Sequence, residues 1–240
     1  MNNYEFCADF ALDASRGRTD FKVLDYGCGA GEIVSAMVRS GLDACGCQTF
    51  YEGGDTSGKI LPDIQDRVFR MQGDRVPFPD ATFDLIVTNQ VLEHVADLDI
   101  AVGEIARVLR PGGCCLAVFP HYEVWREGHC EMPFIHRVPR SVRIHYAAAL
   151  RWLGLGIHRE DLKPYAWAQN FYQWHDQWCH YRPLETIRAT FRRHLSAPRH
   201  IEAAWAAKRS SLLARLPAPL RVLIARKAAG LVFVADKASV

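Results

Sequence analysis

The five residues Gly27-Cys28-Gly29-Ala30-Gly31 constrain this chain more than any other stretch of it. The short apolar run Phe21 to Asp25 leads into them and reads as a β-strand. Glu32 to Ser40 follows with apolar residues at 33, 34, 37 and 38, the spacing of one buried helix face, and Gly41 stands where such a helix ends. The pattern then repeats. Strands are predicted over Ala44 to Phe50, Arg67 to Gln72, Phe83 to Thr88 and Cys114 to Phe119. Leu98, Val102, Ile105, Val108 and Leu109 form a helical stripe between the last two, stopped by Pro111-Gly112-Gly113. Strands alternating with helices predict an α/β fold with a doubly wound, mostly parallel sheet. Such a sheet binds ligands beyond the carboxyl ends of its strands.

Glycines between a strand and a helix let a ligand approach the backbone. The spacing here is G-x-G-x-G, whereas the dinucleotide-binding turn is G-x-G-x-x-G. Asp25, two positions before the first glycine, would repel a pyrophosphate but attract an ammonium. Both features argue against a nicotinamide dinucleotide.

The segment Val23 to Gly31 resembles the first motif of the class I S-adenosylmethionine-dependent methyltransferases. Met71-Gln72-Gly73-Asp74, Val76-Pro77-Phe78 and Phe83 to Val95 resemble their middle motifs, and Leu109-Arg110-Pro111-Gly112-Gly113 the motif before the fifth strand. The resemblance implies a Rossmann-like sheet closed by a final antiparallel strand, with S-adenosyl-L-methionine as cofactor. It places Asp25, Gly27 and Gly29 under the methionine part of the cofactor and gives Asp74 the adenine amino group. Thr88, Asn89 and Gln90 would stand near the sulfonium. Relatives put an acid at the end of the second strand for the ribose; Gln48 takes that position here, with Glu52 or Asp55 as substitutes. Glu93 and His94 follow the fourth strand and invite a catalytic reading, but because Leu-Glu-His occurs in relatives with unrelated acceptors they are expected to open the next helix, capping its backbone and packing beneath the site.

The second half differs in character. Residues 1–120 carry 10 Lys/Arg against 18 Asp/Glu, residues 121–240 carry 19 against 9, and nine of ten histidines follow residue 120. The reading is one domain, 1–240: a cofactor-binding half (1–120), a helical lid or substrate-binding region (121–229) and a final strand (230–237). In the lid, His121, Glu127, His129 and His136 are the candidate catalytic residues, a histidine serving as base near neutrality and Glu127 as orienting or alternative base. Glu127-Gly128-His129 and Pro133 to His136 loosely resemble methyltransferases of bacterial polysaccharide clusters. Seven aromatics between Tyr165 and Tyr181 offer flat walls for a sugar, a quinone or a core of their own. His175 and Cys179 have the i, i+4 spacing of a metal pair, but no third and fourth ligands are evident, so no metal is expected. Ten Lys/Arg and one acid between Thr186 and Lys227 make a solvated face or a contact for an anionic acceptor or membrane surface. No nucleic-acid motif accompanies them.

Eight cysteines without a C-x-x-C or a secretory signal are expected to be reduced thiols in a cytoplasm, and no apolar run is long enough to span a bilayer. The expected activity is S-adenosylmethionine-dependent O-methylation of a sugar hydroxyl in a glycan or glycolipid. The alternatives are methylation of a quinone or small aromatic, and a non-catalytic cofactor-binding scaffold.

Overall fold

The computed structural model describes residues 1–50, 56–157 and 162–239. Seven strands form one sheet: β1 Lys22–Tyr26, β2 Asp43–Gln48, β3 Val68–Arg70, β4 Phe83–Asn89, β5 Leu109–Phe119, β6 Arg199–His200 and β7 Leu231–Asp236. Their order is β3-β2-β1-β4-β5-β7-β6, parallel from β3 to β5, with β7 antiparallel to both of its neighbours. The order runs outward from β1 in both directions, so the carboxyl ends of β1 and β4 lie side by side at the switch point where such sheets bind ligands.

Alternation along the strands builds two cores. Val23, Leu85, Val87, Leu116, Val118 and Val232 face one side, against Ile33 and Met37 of helix α2 (Glu32–Arg39) and Phe6 of α1 (Asn3–Ser15). Leu24, Ile86, Ala117 and Phe233 face the other, against Ile105 of α3 (Leu98–Val108) and Phe191 of a later helix, α6. Strands covered on both faces read as continuous apolar runs, which is why β4 and β7 were legible in the sequence. The predicted stop at Pro111-Gly112-Gly113 lies inside β5: α3 ends at Val108, and these residues form a bulge where β5 shifts register between Phe83 and Leu85 of β4.

The region 121–229 divides. Helices α4 (Arg143–Trp152) and α5 (Pro164–Trp178) pack over a small separate core of Met132, Ile135, Ala147, Trp167 and Tyr172. The remainder supports the sheet: α6 (Leu184–His194) packs on α3, and Trp205 of α7 (Glu202–Arg209) and Ala225 of α9 (Ala218–Ala228) join the opposite core, with the short α8 (Ser211–Ala214) between them. Part of the basic charge there is paired within the chain, through Arg188 on Glu185, Arg193 on Asp99 and Arg226 on buried Glu202. No described helix is long and apolar enough to cross a membrane.

Candidate active site

Where β1 leaves the sheet, the backbone N–H groups of Gly27 and Cys28 both donate to the Cys47 carbonyl, at 2.8 and 3.1 Å, which fastens the glycine turn to β2. Gly27 adopts φ +79°, and a Cβ there would lie 2.4 Å from a Val91 methyl. Replacing Gly27 with alanine is therefore expected to lower stability by about 2–4 kcal/mol, read as a lower urea midpoint, and to displace the turn that the cofactor rests on.

A cavity of about 480 Å³ opens above this turn, framed by Asp25, Gly27, Gly29, Glu32, Asn89 and Gln90. Asp25 is 2% exposed, and its Oδ2 has no hydrogen-bond partner. Burial, aided by the nearby Glu32, raises its pKa to about 8. Thr88 Oγ1 and Asn89 Oδ1, at the end of β4, are also buried without partners. Gln90 ends the strand at φ +56°, a left-handed conformation that costs energy in a non-glycine residue. A carboxylate and acceptor oxygens left unpaired in a cleft call for a ligand with a cationic, hydrogen-bond-donating end. The amino-acid end of S-adenosyl-L-methionine has that chemistry.

Two other expected contacts fall further out. The Gln48 Oε1 accepts a long bond, 3.4 Å, from the Gly29 N–H, so it braces the turn. Asp74 is exposed at the tip of the turn Gln72–Arg75, after β3. Glu52 and Asp55 lie outside the described residues. Sequence reasoning missed Asn2, Asn3, Tyr4 and Arg209, which close the cavity from the opposite side. Arg209 donates to Asn3 Oδ1 at 2.7 Å and so joins α7 to α1. A signal for α1 was present, since Asn2 and Glu5 form a reciprocal capping box.

The four candidate catalytic residues separate. Glu127 is fully buried, and its carboxylate accepts four bonds: His129 Nδ1–H at 2.5 Å, Tyr181 O–H at 2.9 Å, and the His129 and Cys130 N–H groups at 2.8 Å each. Burial alone would raise its pKa, but the bonds from His129 and the backbone outweigh it and hold the carboxyl at about 2. It orients its neighbours. His129 reaches onward, its Nε2 lying 3.1 Å from Nε2 of His94. His121 sits apart, buried, with Nε2 3.3 Å from Glu123; burial lowers its pKa to about 4, against the pull of Glu123. His136 has its Nε2 3.1 Å from the Tyr122 carbonyl and packs on the Tyr181 ring.

Glu93 and His94 do not open the next helix. Asp97 caps α3, accepting from the Asp99 and Ile100 N–H groups. Instead, Arg182 gathers the segment after β4 by donating to the carbonyls of Leu92, Val95 and Ala96, while the His180 N–H donates to the Glu93 carbonyl. These bonds bring His94 to Cys179, whose Sγ lies 4.0 Å from His94 Nδ1 and from His129 Nδ1.

Residues 24–117 match the family model of a methyltransferase domain. The matched segment holds the glycine turn and the carboxyl ends of β1 and β4. A ubiquinone biosynthesis O-methyltransferase of Mesorhizobium japonicum is 26% identical over 65% of this chain and 59% of its own. An uncharacterized methyltransferase of Schizosaccharomyces pombe is 34% identical over 46% of this chain and 44% of its own. The chain thus spans about half to three fifths of these relatives' lengths. An S-adenosylmethionine-dependent methyltransferase structure from Mesorhizobium loti superposes with a TM-score of 0.55 at 17% identity, covering 98% of this chain and all of that one, a likeness of fold. The family match and the unpaired Asp25 carboxylate together support S-adenosyl-L-methionine as the cofactor of the methyltransferase domain.

Beside that domain lies a larger cavity of about 670 Å³, framed by His129, Ile157, Trp167, Asn170, Phe171 and Trp174. Positions 167, 171 and 174 fall on one face of α5, and the rings of Trp167 and Phe171 stack at 5.3 Å. His129 meets the Trp174 ring edge-on at 5.0 Å. Trp167 also belongs to the lid's own core, so the aromatic run builds that core and lines a cavity.

Proposed function

We propose that this protein transfers a methyl group from S-adenosyl-L-methionine to a hydroxyl of a ring-shaped small molecule held between the aromatic face of α5 and His129. The observation that carries this reading is the path of residues 88–94. Its first members line the cofactor cavity with unpaired polar atoms, and its last, His94, touches the histidine that frames the aromatic cavity. The cofactor supplies an electrophilic methyl on a sulfonium leaving group, which leaves alignment and exclusion of water to the protein. Asp25 holds the ammonium, Thr88 and Asn89 pair with polar groups beside it, and Asp74 takes the adenine amino group, as its place in the middle motif implies. At the acceptor end, Glu127 and Tyr181 fix the His129 ring, and the hydroxyl loses its proton in the His129 cluster. His121 and His136 support the lid from outside both cavities.

Among the described residues the lining is mostly apolar and aromatic, with His129 and Asn170 as polar side chains, and this fits a flat phenolic or quinol ring. The ubiquinone-pathway name of the relative in Mesorhizobium japonicum supports the same class. A sugar hydroxyl of a glycan or glycolipid is the second reading, favoured by the indole faces of Trp167 and Trp174. Incubation with methyl-labelled cofactor and separate panels of catechols, quinols and glycans decides between them. Label in the phenolic panel is expected. Label confined to glycans promotes the second reading, and binding of cofactor without turnover on either panel or on cell extract supports a scaffold. In the active assay, His129→Ala is expected to lower kcat by at least about 100-fold with cofactor affinity unchanged.

A further inference from the structure

The protons on His94 and His129 can be assigned from their partners. His94 Nδ1 lies 2.7 Å from the Trp178 carbonyl, which only accepts, so this nitrogen carries a hydrogen. His129 Nδ1 lies against the Glu127 carboxylate and carries one as well. The two Nε2 atoms then face each other across 3.1 Å. Two ring nitrogens that close can share one cation, a proton or a metal ion.

Three further features concern which cation. Cys179, His94 and His129 form a group whose ligand atoms, one per residue, all lie within 4.8 Å of one another. Two imidazoles and a thiol are soft-to-borderline donors suited to zinc. Each imidazole donates its other N–H to a carboxylate or a backbone carbonyl, the outer support that fixes metal-binding histidines. Glu93, one residue before His94, has both carboxylate oxygens buried without a hydrogen-bond partner. Two nitrogens held by tetrahedral zinc at about 2.0–2.1 Å stand roughly 3.3 Å apart, close to the separation seen here.

We propose that His94, His129 and Cys179 bind one zinc-class divalent ion, with a fourth position open towards the aromatic cavity. Binding releases the Cys179 thiol proton to solvent and leaves a thiolate–metal bond. Of the pair His175 and Cys179 offered by the sequence only Cys179 takes part, and His94 comes from the sheet half, 85 residues away. An ion in this place acidifies an acceptor hydroxyl that takes the open position, which accounts for the use of His129 even though both its ring nitrogens are engaged. That role rests on the methyl-transfer reading; the presence of the ion does not.

The test is cobalt titration of the full-length protein after dialysis against a chelator under reducing conditions. Saturation near one Co²⁺ per chain is expected, with a near-ultraviolet thiolate-to-cobalt band and displacement by Zn²⁺. Cys179→Ser should remove the band, and His94→Ala should weaken affinity by at least about 100-fold. A wild-type protein that binds neither Co²⁺ nor Zn²⁺ saturably overturns the proposal and leaves a shared proton between the rings, whatever the variants do. A band unchanged in Cys179→Ser overturns it too, since other thiols would then be the ligands. Cofactor affinity measured on the same samples shows that the variants are folded. Metal without turnover on any acceptor sinks only the methyl-transfer reading; turnover without metal sinks only this one.

Discussion

At pH 8 and without cofactor, the Asp25→Asn protein is expected to unfold at a higher temperature than the wild type, yet to bind S-adenosyl-L-methionine at least about 100-fold more weakly. The two effects have one cause. Asp25 titrates at about 8 in the folded chain, because burial disfavours its charge and Glu32 adds to this, against about 3.9 in an unfolded chain. The folded state keeps the proton over that whole interval, so stability falls as pH rises from about 4 to about 8. At roughly 1.4 kcal/mol per pH unit the cost reaches about 5 kcal/mol at pH 8, and the asparagine's own buried amide takes back part of the gain. A bound ammonium reverses the balance by giving the carboxylate its missing partner. Cofactor binding below pH 8 should therefore release close to one proton, and affinity should rise with pH up to that point. Calorimetry in two buffers of different ionisation enthalpy reads the proton directly. Wild-type binding without proton release, or full affinity in Asp25→Asn, would place the ammonium elsewhere.

Glu127→Ala is expected to cost about 3–5 kcal/mol and to loosen the lid before the sheet. Its carboxylate serves four donors with no exposure to water. Removing it leaves two buried backbone N–H groups, a tyrosine hydroxyl and the His129 ring without an acceptor. Hydrogen exchange should quicken across 127–137 and 175–182, while the strands behind the glycine turn keep their protection. Tyr181→Phe, which deletes one donor and leaves no orphan acceptor, should cost only about 1 kcal/mol. Equal losses in the two variants would contradict the placing of Glu127 at the centre of the lid's hydrogen bonds. Cofactor affinity is expected to survive both changes, because no Glu127 contact reaches Asp25 or the glycine turn.

The sheet half was readable because its information is local. The glycine turn, the apolar runs of β1, β4 and β7 and the stripe of α3 are patterns within about ten residues, and backbone sterics with one-sided burial translate them into structure. The predicted β2 ends two residues early, at Gln48, and β3 keeps only Val68–Arg70 of its predicted range. Neither β6 nor α1 was predicted, for different reasons. β6 is two polar residues, Arg199 and His200, that count as a strand only because β7 lies beside them. α1 was announced by its cap but has no strong apolar stripe.

The acceptor end was legible only as a set of candidates. His121, Glu127, His129 and His136 stand within 16 positions, and nothing in their spacing tells that Glu127 will be buried and saturated or that His121 will turn away to Glu123. His94 belongs to a motif that pointed to helix capping, and His175 and Cys179 resembled an incomplete metal pair. The decision came from bonds between distant segments: Arg182 on the carbonyls after β4, and Glu127 on the loop that carries His129. By itself the sequence determined the parallel sheet, the cofactor turn and the acid beneath it, because strand, turn and helix preferences act between neighbours. Tertiary structure alone decided which histidines meet, because a carboxylate or imidazole takes its role from the partners that folding brings within about 3 Å, and those partners lie scores of residues away.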